Sequence, residues 1–422
     1  MFEQYAVITP DADEATLRDR IAELERLKSA AAAGQARATA ALESARRATE
    51  AAAGVPARQR GRGLGSEIGL ARLDSPTRGS HHLTDARILV RDLHHTLHAL
   101  ETGILTESRA RLIVREAACL SPADRRRLDE ELCGDATTLI GLGDARITAD
   151  AKTVACRLDP QAVANRAARA PEDRSVTFRP TTDNMALMTV VLPATDAAAV
   201  RGSLNAAADR CADGRNRGQA MADTVVARIT GREAATPVRV GVNLVVSDET
   251  LFAGAADPAR LEGYGPIPAT VVRRLISEAI ADDNSWVTLR RLYATPDTGA
   301  LVAMESRSRR FPKGLARFIA LRDEICRTPY CNAPIRHIDH VTPHHRHGPT
   351  SAANGEGLCE RCNYVKEAPG WQVVPGVDEF GRHCTEHITP TGAVYRSTAP
   401  PLPGGIRRLT REIHVVFNKS AA

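Results

Sequence analysis

Four cysteines stand in two closely spaced pairs in the last quarter of the sequence. Four residues separate Cys326 from Cys331, two separate Cys359 from Cys362, and 27 lie between the pairs. Two such pairs suit one tetrahedral zinc site, because each short turn can present two thiolates to the same ion. With four protein ligands and no open position, the predicted Zn²⁺ is structural and stabilises a segment too small to bury a core. The alternative is that all four are free cysteines.

Four polar residues in the same segment have the chemistry needed to cut a phosphodiester bond. Asp339 and His340 are adjacent, Asn354 follows, and Asn363 comes directly after the last cysteine. Carboxylate and amide oxygens are ligands for a hard divalent cation, which polarises a phosphate and neutralises charge on the leaving oxygen. A neutral imidazole can take a proton from the attacking water. The second amide can fix the loop that carries the imidazole.

Together these residues resemble the HNH nuclease motif. The motif is carried by the two cysteine pairs, Asp339-His340, Asn354 and the closing residues Cys362-Asn363-x2-Lys366 and Gly370-Trp371. The resemblance implies a ββα finger that hydrolyses DNA with one catalytic Mg²⁺ or Mn²⁺. It makes His340 the general base, Asn354 the residue that orients it, and Asp339 and Asn363 the metal ligands. The family often has His where this chain has Asn363, and the amide still offers an oxygen ligand.

The resemblance extends upstream of the finger, at residues 66–71, 109–113, 261–267, 296–299 and 309–312. Through these segments the chain is similar to the actinobacterial 13E12-repeat type, in which domain of unknown function 222 precedes an HNH finger. That upstream part has no established chemistry, so it indicates family and not mechanism. The excess of arginine, with only five lysines among 56 basic residues, agrees with a GC-rich source.

The helical and strand-like stretches that must position these residues are typical of an α+β protein. A mostly helical N-terminal region with a small antiparallel sheet comes first, and a ββα finger with the four-cysteine zinc site follows. Strand-like stretches occur at residues 175–179, 185–192 and 238–246, and a hairpin is expected over 287–305. The predicted domains are an N-terminal helix (1–53), a basic linker (54–65), an α+β domain of unknown function (66–305), the nuclease domain (306–380), and C-terminal strands and a tail (381–422).

The first helix carries an apolar stripe at Leu17, Ile21 and Leu24, spaced by four and three residues. Two heptads are too few to establish a coiled coil. The helix could therefore pair with a second copy, giving a homo-oligomer, or dock on its own chain. A third hypothesis makes this whole N-terminal region the functional part, as an oligomerisation or partner-binding device.

Charge concentrates at the end of the sequence. The net charge is +5, and residues 306–422 alone hold 17 Lys and Arg against 10 Asp and Glu. Such an excess favours an anionic partner, here DNA, over the alternative of a solvated basic face. No residues are evident for reading base edges. The predicted backbone contacts are Arg309, Arg310, Lys313, Arg317 and Lys366, with Arg307 and Arg322 on the same basic stretch.

Composition excludes some classes. No apolar run is long enough to span a membrane, and residues 1–5 do not resemble the start of a signal peptide. The odd number of cysteines, nine, speaks against a disulfide framework. We therefore expect a cytoplasmic protein without membrane contact. The main hypothesis is a metal-dependent HNH endonuclease, and the alternative is a zinc-stabilised DNA-binding protein without cleavage activity.

Overall fold

The structure is a computed structural model, which describes residues 5, 7, 11–183, 185–231, 244–247, 250–251, 254–281, 305–306 and 309–402. The hairpin predicted over 287–305 lies outside the described residues apart from its last position. The same holds for Arg307, for most of the strand predicted at 238–246, and for the tail beyond 402. Among the described residues, no helix is both long and apolar enough to cross a membrane.

The chain divides into two compact units. One comprises Met1–Asp173 with Tyr364–Gly370, and the other Arg174–Asn363 with Trp371–Ala422. Described helices of the first unit are α1 (Glu14–Ala52), α2 (Leu64–Ala71), α3 (Pro76–Arg91), α4 (His94–Glu101), α5 (Glu107–Ala117), α6 (Pro122–Cys133), α7 (Asp144–Leu158) and α8 (Pro160–Arg169).

Local signals in the sequence set several of these helix boundaries. The Ser121 side chain accepts a hydrogen bond from the backbone N–H of Asp124 at the start of α6, and Pro122 takes the first helical position. Asp159 caps α8 in the same way. Leu93 lies between α3 and α4, and it is buried in the same core as Leu89 of α3.

Helix α1 docks on its own chain through its second half. Ala32, Ala33 and Ala36 are buried in the core of the first unit. Small side chains allow this close approach between helices. In the first half, Leu17 and Ile21 are 37% and 69% exposed. The structure therefore supports the docking alternative for the second half of α1, and pairing with a second copy stays a prediction.

The glycine-rich stretch predicted as a basic linker ends in a helix contact. Leu64 begins α2 and is fully buried. A Cβ atom on Gly65 would lie 2.3 Å from Ser80 Oγ, and one on Gly79 would lie 2.1 Å from Gly65 O. Gly65 and Gly79 therefore let α2 and α3 pack backbone to backbone. The prediction of residues 54–65 as a linker missed this role of Gly65.

The second unit begins with an exposed hairpin. β1 (Ser175–Pro180) pairs antiparallel with β2 (Ala186–Val191), and Phe178 remains 64% exposed. Described elements that follow are α9 (Ala194–Asp209), α10 (Arg217–Thr230), the sheet of β3 (Leu244–Val245), β4 (Ala259–Leu261) and β5 (Gly265–Ile267), and α11 (Ala269–Ala281).

The predicted finger and the segment that leads into it follow. The elements are β6 (Glu305–Ser306), α12 (Lys313–Asp323), β7 (His337–His340), β8 (Thr350–Ser351), β9 (Gly355–Leu358) and α13 (Glu360–Lys366). Of these, β7, β9 and α13 give the finger its ββα order. β7 pairs with β9 and β6 with β8, both antiparallel. A three-stranded antiparallel sheet comes next: β10 (Gln372–Val377), β11 (His383–Ile388) and β12 (Val394–Thr398). The predicted α+β class is confirmed, and Trp371 is buried as a core residue.

Candidate active site

The four predicted cysteines come together in the finger. Their sulfur atoms all lie within 4.8 Å of one another, and Cys331 Sγ is 3.9 Å from Cys359 Sγ and 3.7 Å from Cys362 Sγ. Four thiolates at zinc bond lengths of about 2.3 Å sit about 3.8 Å apart at the corners of a tetrahedron. The site therefore has the dimensions of a Zn²⁺ site. Among the described residues no second group of three His, Cys, Asp or Glu ligands is found.

The β7–β9 hairpin places the two adjacent polar residues. Asp339 lies opposite Glu356 and His340 opposite Gly355 in the antiparallel register. A Cβ atom on Gly355 would lie 2.4 Å from Ile319 Cδ1 and 2.8 Å from the Phe311 ring. Glycine at this position therefore lets α12 and the residue before it press against the strand that carries the site.

The His340 side chain is held on more than one side. It is only 6% exposed, and its Nε2 atom lies 2.8 Å from Thr350 Oγ1. The Phe311 ring packs against the imidazole with centroids 4.5 Å apart, and the exposed His344 approaches with centroids 5.6 Å apart. These contacts fix the plane of the imidazole before any substrate binds.

The Asp339 side chain is one-third exposed, and its Oδ1 atom lies 4.0 Å from His340 Nδ1. The Nδ1 edge of the ring is therefore the edge that faces this carboxylate. Asn363 lies on α13, and its buried Oδ1 atom accepts no hydrogen bond from the described residues. Each of these oxygen atoms is of the kind that a hard divalent cation takes as a ligand.

Asn354 clamps the loop between β7 and β9. Its Oδ1 atom accepts from the Thr342 N–H at 2.8 Å, and its Nδ2 atom donates to the carbonyls of Thr342 and Pro349 at 3.0 and 2.9 Å. Asn354 is 3% exposed, so these bonds are shielded from water. Gly348 completes the clamp, because a Cβ atom there would lie 1.8 Å from Thr342 O. This geometry fits the predicted role of Asn354 as the residue that orients the base.

A buried ion pair at the end of α12 forms hydrogen bonds to the backbone of the finger. The Arg322 guanidinium binds the Asp323 carboxylate and donates to the carbonyls of Ala352 and Gly355. Asp323 in turn accepts from the Gly357 N–H at 2.7 Å. Arg322 is thus a structural residue, and its assignment to a basic DNA-binding face is wrong. Its helical spacing placed it with the surface arginines, but its donors are used inside.

The other predicted DNA contacts lie in different environments. Arg309, Arg310 and Lys313 are exposed just before and at the start of α12. Arg317 pairs with Glu262, with N–O distances of 3.0 and 2.8 Å. Lys366 is buried, at 9% exposed, which does not favour its predicted role in phosphate binding.

Phe311 and Thr350 contact the predicted base but were not predicted to do so. Phe311 was part of a segment quoted only for its family resemblance, and Thr350 follows the Gly348-Pro349 turn. A hydroxyl between a turn and a strand is a weak signal by itself. Their proximity to His340 depends on how α12 and β8 pack, which the local sequence does not encode.

Comparison with known families agrees with this geometry. A family model described as HNH endonuclease matches residues 326–368. A second model, described as Domain of unknown function (DUF222), matches residues 21–323, and the chain belongs to that family. The architecture is therefore a DUF222 region followed by a C-terminal HNH endonuclease domain, as the sequence predicted. No curated protein and no solved structure matches the chain.

Proposed function

We propose that the protein is a metal-dependent endonuclease that hydrolyses phosphodiester bonds in DNA. The observation that carries this proposal is the placement of His340, which is fixed by Thr350 and Phe311 with its Nδ1 edge toward Asp339. A match to the HNH endonuclease model over residues 326–368, which include Asp339, His340 and Thr350, supports it. The reaction class is attack of water on phosphorus with release of a sugar oxygen.

In this mechanism each side chain has one task. His340 accepts a proton from the attacking water and so acts as general base. Asn354 holds the loop after β7, which keeps the imidazole in place while the proton moves. Asp339 and Asn363 would hold one Mg²⁺ or Mn²⁺, which supplies Lewis-acid polarisation of the phosphate and neutralises charge on the leaving oxygen.

The remaining residues of the proposed nuclease would stabilise the finger or contact DNA. Cys326, Cys331, Cys359 and Cys362 would hold a structural Zn²⁺ that closes the finger. Arg309, Arg310 and Lys313 are exposed beside α12 and would contact the DNA backbone. Arg317 would join them only by exchanging its Glu262 partner for a phosphate, and Lys366 is left out of this surface because it is buried.

Plasmid cleavage tests the proposal. Supercoiled plasmid is incubated with the full chain, with and without added Mg²⁺ or Mn²⁺, beside His340→Ala. His345→Ala is the matched control, because it removes an exposed imidazole five residues away. Zinc content is measured in every sample, so that loss of the structural ion is not mistaken for loss of the catalytic one.

We expect nicking or linearisation that requires the added cation, disappears in His340→Ala and persists in His345→Ala. If wild type and His340→Ala give the same plasmid cleavage result while both still shift DNA in a gel, the nuclease proposal is wrong. The alternative, a zinc-stabilised DNA-binding protein without cleavage activity, would then replace it. Asp339 and Asn363 would then be structural residues.

A further inference from the structure

Three arginines converge on one buried carboxylate in the first unit. Glu43 of α1 is 1% exposed and accepts from Arg47 at 2.9 Å and from Arg87 of α3 at 3.0 and 2.6 Å. The Arg91 guanidinium, one turn further along α3, lies 3.6 Å from the same carboxylate. We call these four residues the Glu43 cluster.

The charges of the Glu43 cluster do not balance. A structural ion pair needs one cation for each carboxylate, whereas Glu43 is surrounded by three. Two positive charges therefore remain uncompensated within the cluster, and like charges held this close repel one another. The Glu43 cluster therefore produces a positive electrostatic potential at the surface of α1 and α3.

The guanidinium groups are held in place but stay open to solvent. The side chains of Arg47, Arg87 and Arg91 are 44%, 36% and 55% exposed. Each guanidinium has five N–H donors, of which Arg47 uses one and Arg87 two for Glu43, while Arg91 is held by the ion pair alone. Because Arg47 and Arg87 are already fixed by these bonds, further hydrogen bonds to an anion cost little side-chain entropy.

More arginines lie on the adjoining loop. Gly61 donates its backbone N–H to Glu50, and a Cβ atom there would lie 3.8 Å from the Arg47 guanidinium. The loop that contains Gly61 thus runs beside the Glu43 cluster. Arg58 and Arg62 of this loop are both exposed. The basic surface therefore continues from the helices onto the loop.

We propose that the Glu43 cluster, with Arg58 and Arg62, is a surface of the DUF222 region that binds the phosphate backbone of double-stranded DNA. Planar guanidinium groups match phosphate oxygens in pairs, and DNA offers a phosphate charge about every 1.7 Å along its axis. The contacts bind backbone and carry no sequence readout. This inference shares DNA as ligand with the proposed function but does not depend on cleavage.

Salt-dependent DNA binding tests this surface. The full chain carrying His340→Ala is titrated into a short fluorescent DNA duplex at several salt concentrations, and anisotropy gives the affinity. Arg47→Gln/Arg91→Gln removes two charges while leaving the paired Arg87 contacts to Glu43 in place. Arg18→Gln/Arg146→Gln is the matched control, because those exposed arginines each pair with one acid, Asp19 and Asp150.

We expect Arg47→Gln/Arg91→Gln to weaken binding and to lower the slope of log affinity against log salt by about 2, since each lost phosphate contact removes about 0.9. The control should keep the wild-type slope. A wild-type slope of log affinity against log salt in Arg47→Gln/Arg91→Gln would overturn the proposal. Should the Arg47→Gln/Arg91→Gln chain fail to fold by circular dichroism, Arg58→Gln/Arg62→Gln on the exposed loop decides the matter by the same criterion. Plasmid cleavage, measured separately, shows whether the nuclease proposal stands or falls by itself.

Discussion

His340 Nε2 lies 2.8 Å from Thr350 Oγ1, and both side chains are buried. This contact fixes which edge of the imidazole faces the rest of the site. With Nε2 engaged by the hydroxyl, the Nδ1 edge is directed to Asp339, whose Oδ1 lies 4.0 Å away. Thr350, which is predicted to contact neither metal nor substrate, can therefore determine the orientation of the predicted base His340.

Removing the Thr350 hydroxyl should slow cleavage without weakening DNA binding. We expect Thr350→Val, which keeps the shape, to lower the single-turnover rate about tenfold or more, as for other residues that orient catalytic groups. Thr350→Ser keeps the hydroxyl and should restore most of the rate. Single-turnover kinetics at saturating cation, with DNA affinity measured in parallel, separates the two effects. A valine variant as fast as wild type would show that the hydrogen bond plays no part.

Zinc should be bound through the four clustered cysteines and should stabilise the finger. Cys362→Ser removes one thiolate from a buried four-sulfur site, so the chain should lose its zinc and the second unit should unfold at a lower temperature. Cys384→Ser is the control, because Cys384 is equally buried but lies outside the cluster. Metal analysis and thermal unfolding check both variants. Full zinc occupancy in Cys362→Ser would contradict the assignment.

The backbone contact between α2 and α3 should make one glycine irreplaceable. A Cβ atom on Gly79 would lie 2.1 Å from Gly65 O and 2.4 Å from Gly69 N, so Gly79→Ala must push the two helices apart. We expect a loss of about 1–3 kcal/mol or more in the free energy of unfolding. Gly34→Ala is the control, since Gly34 of α1 has open space at its Cβ and should gain about 0.5–1 kcal/mol. Chemical denaturation should show that the free energy of unfolding falls in Gly79→Ala and rises in Gly34→Ala.

Stability should fall as pH drops, partly through one buried histidine. Burial lowers the pKa of His383 from 6.5 to about 4, so the folded state keeps this ring neutral while the unfolded state binds the proton. The stabilisation is present above pH 6.5 and is lost as pH falls toward 4, by up to about 3 kcal/mol.

A neutral substitute should remove that pH dependence. His383 Nε2 lies 3.0 Å from Ala353 O, and the amide of His383→Gln can donate to the same carbonyl. Between pH 6.5 and 4 the free energy of unfolding of this variant should therefore decline less steeply than that of wild type. Parallel slopes in urea titrations at several pH values would show that another group is responsible.

The sequence predicted the four-cysteine cluster better than the packing around His340. The cysteine pairs and the Asp339-His340 step are short-range patterns, and the structure brings the four cysteines together as their spacing implies. Arg322 could not be distinguished from the arginines around it, because only tertiary packing buries it against Ala352 and Gly355. Phe311 was missed for the same reason.

Glycine and leucine patterns were ambiguous for a related reason. A glycine-rich basic stretch is typical of a loop, yet Gly65 lies in a helix and allows it to approach Ser80. The stripe at Leu17 and Ile21 has helical spacing, but spacing does not say what covers it. In both cases the packing partner depends on contacts distant in sequence.

The region matched as an HNH endonuclease begins at residue 326. Its His340 ring nevertheless packs against Phe311, and its strand β9 forms hydrogen bonds with Arg322 and Asp323. Phe311, Arg322 and Asp323 all belong to the span matched as DUF222, which ends at residue 323. The matched HNH region therefore does not contain the whole imidazole pocket. A transplant of the finger to another protein would have to begin upstream of Phe311, inside the DUF222 match, to carry every side chain that encloses His340.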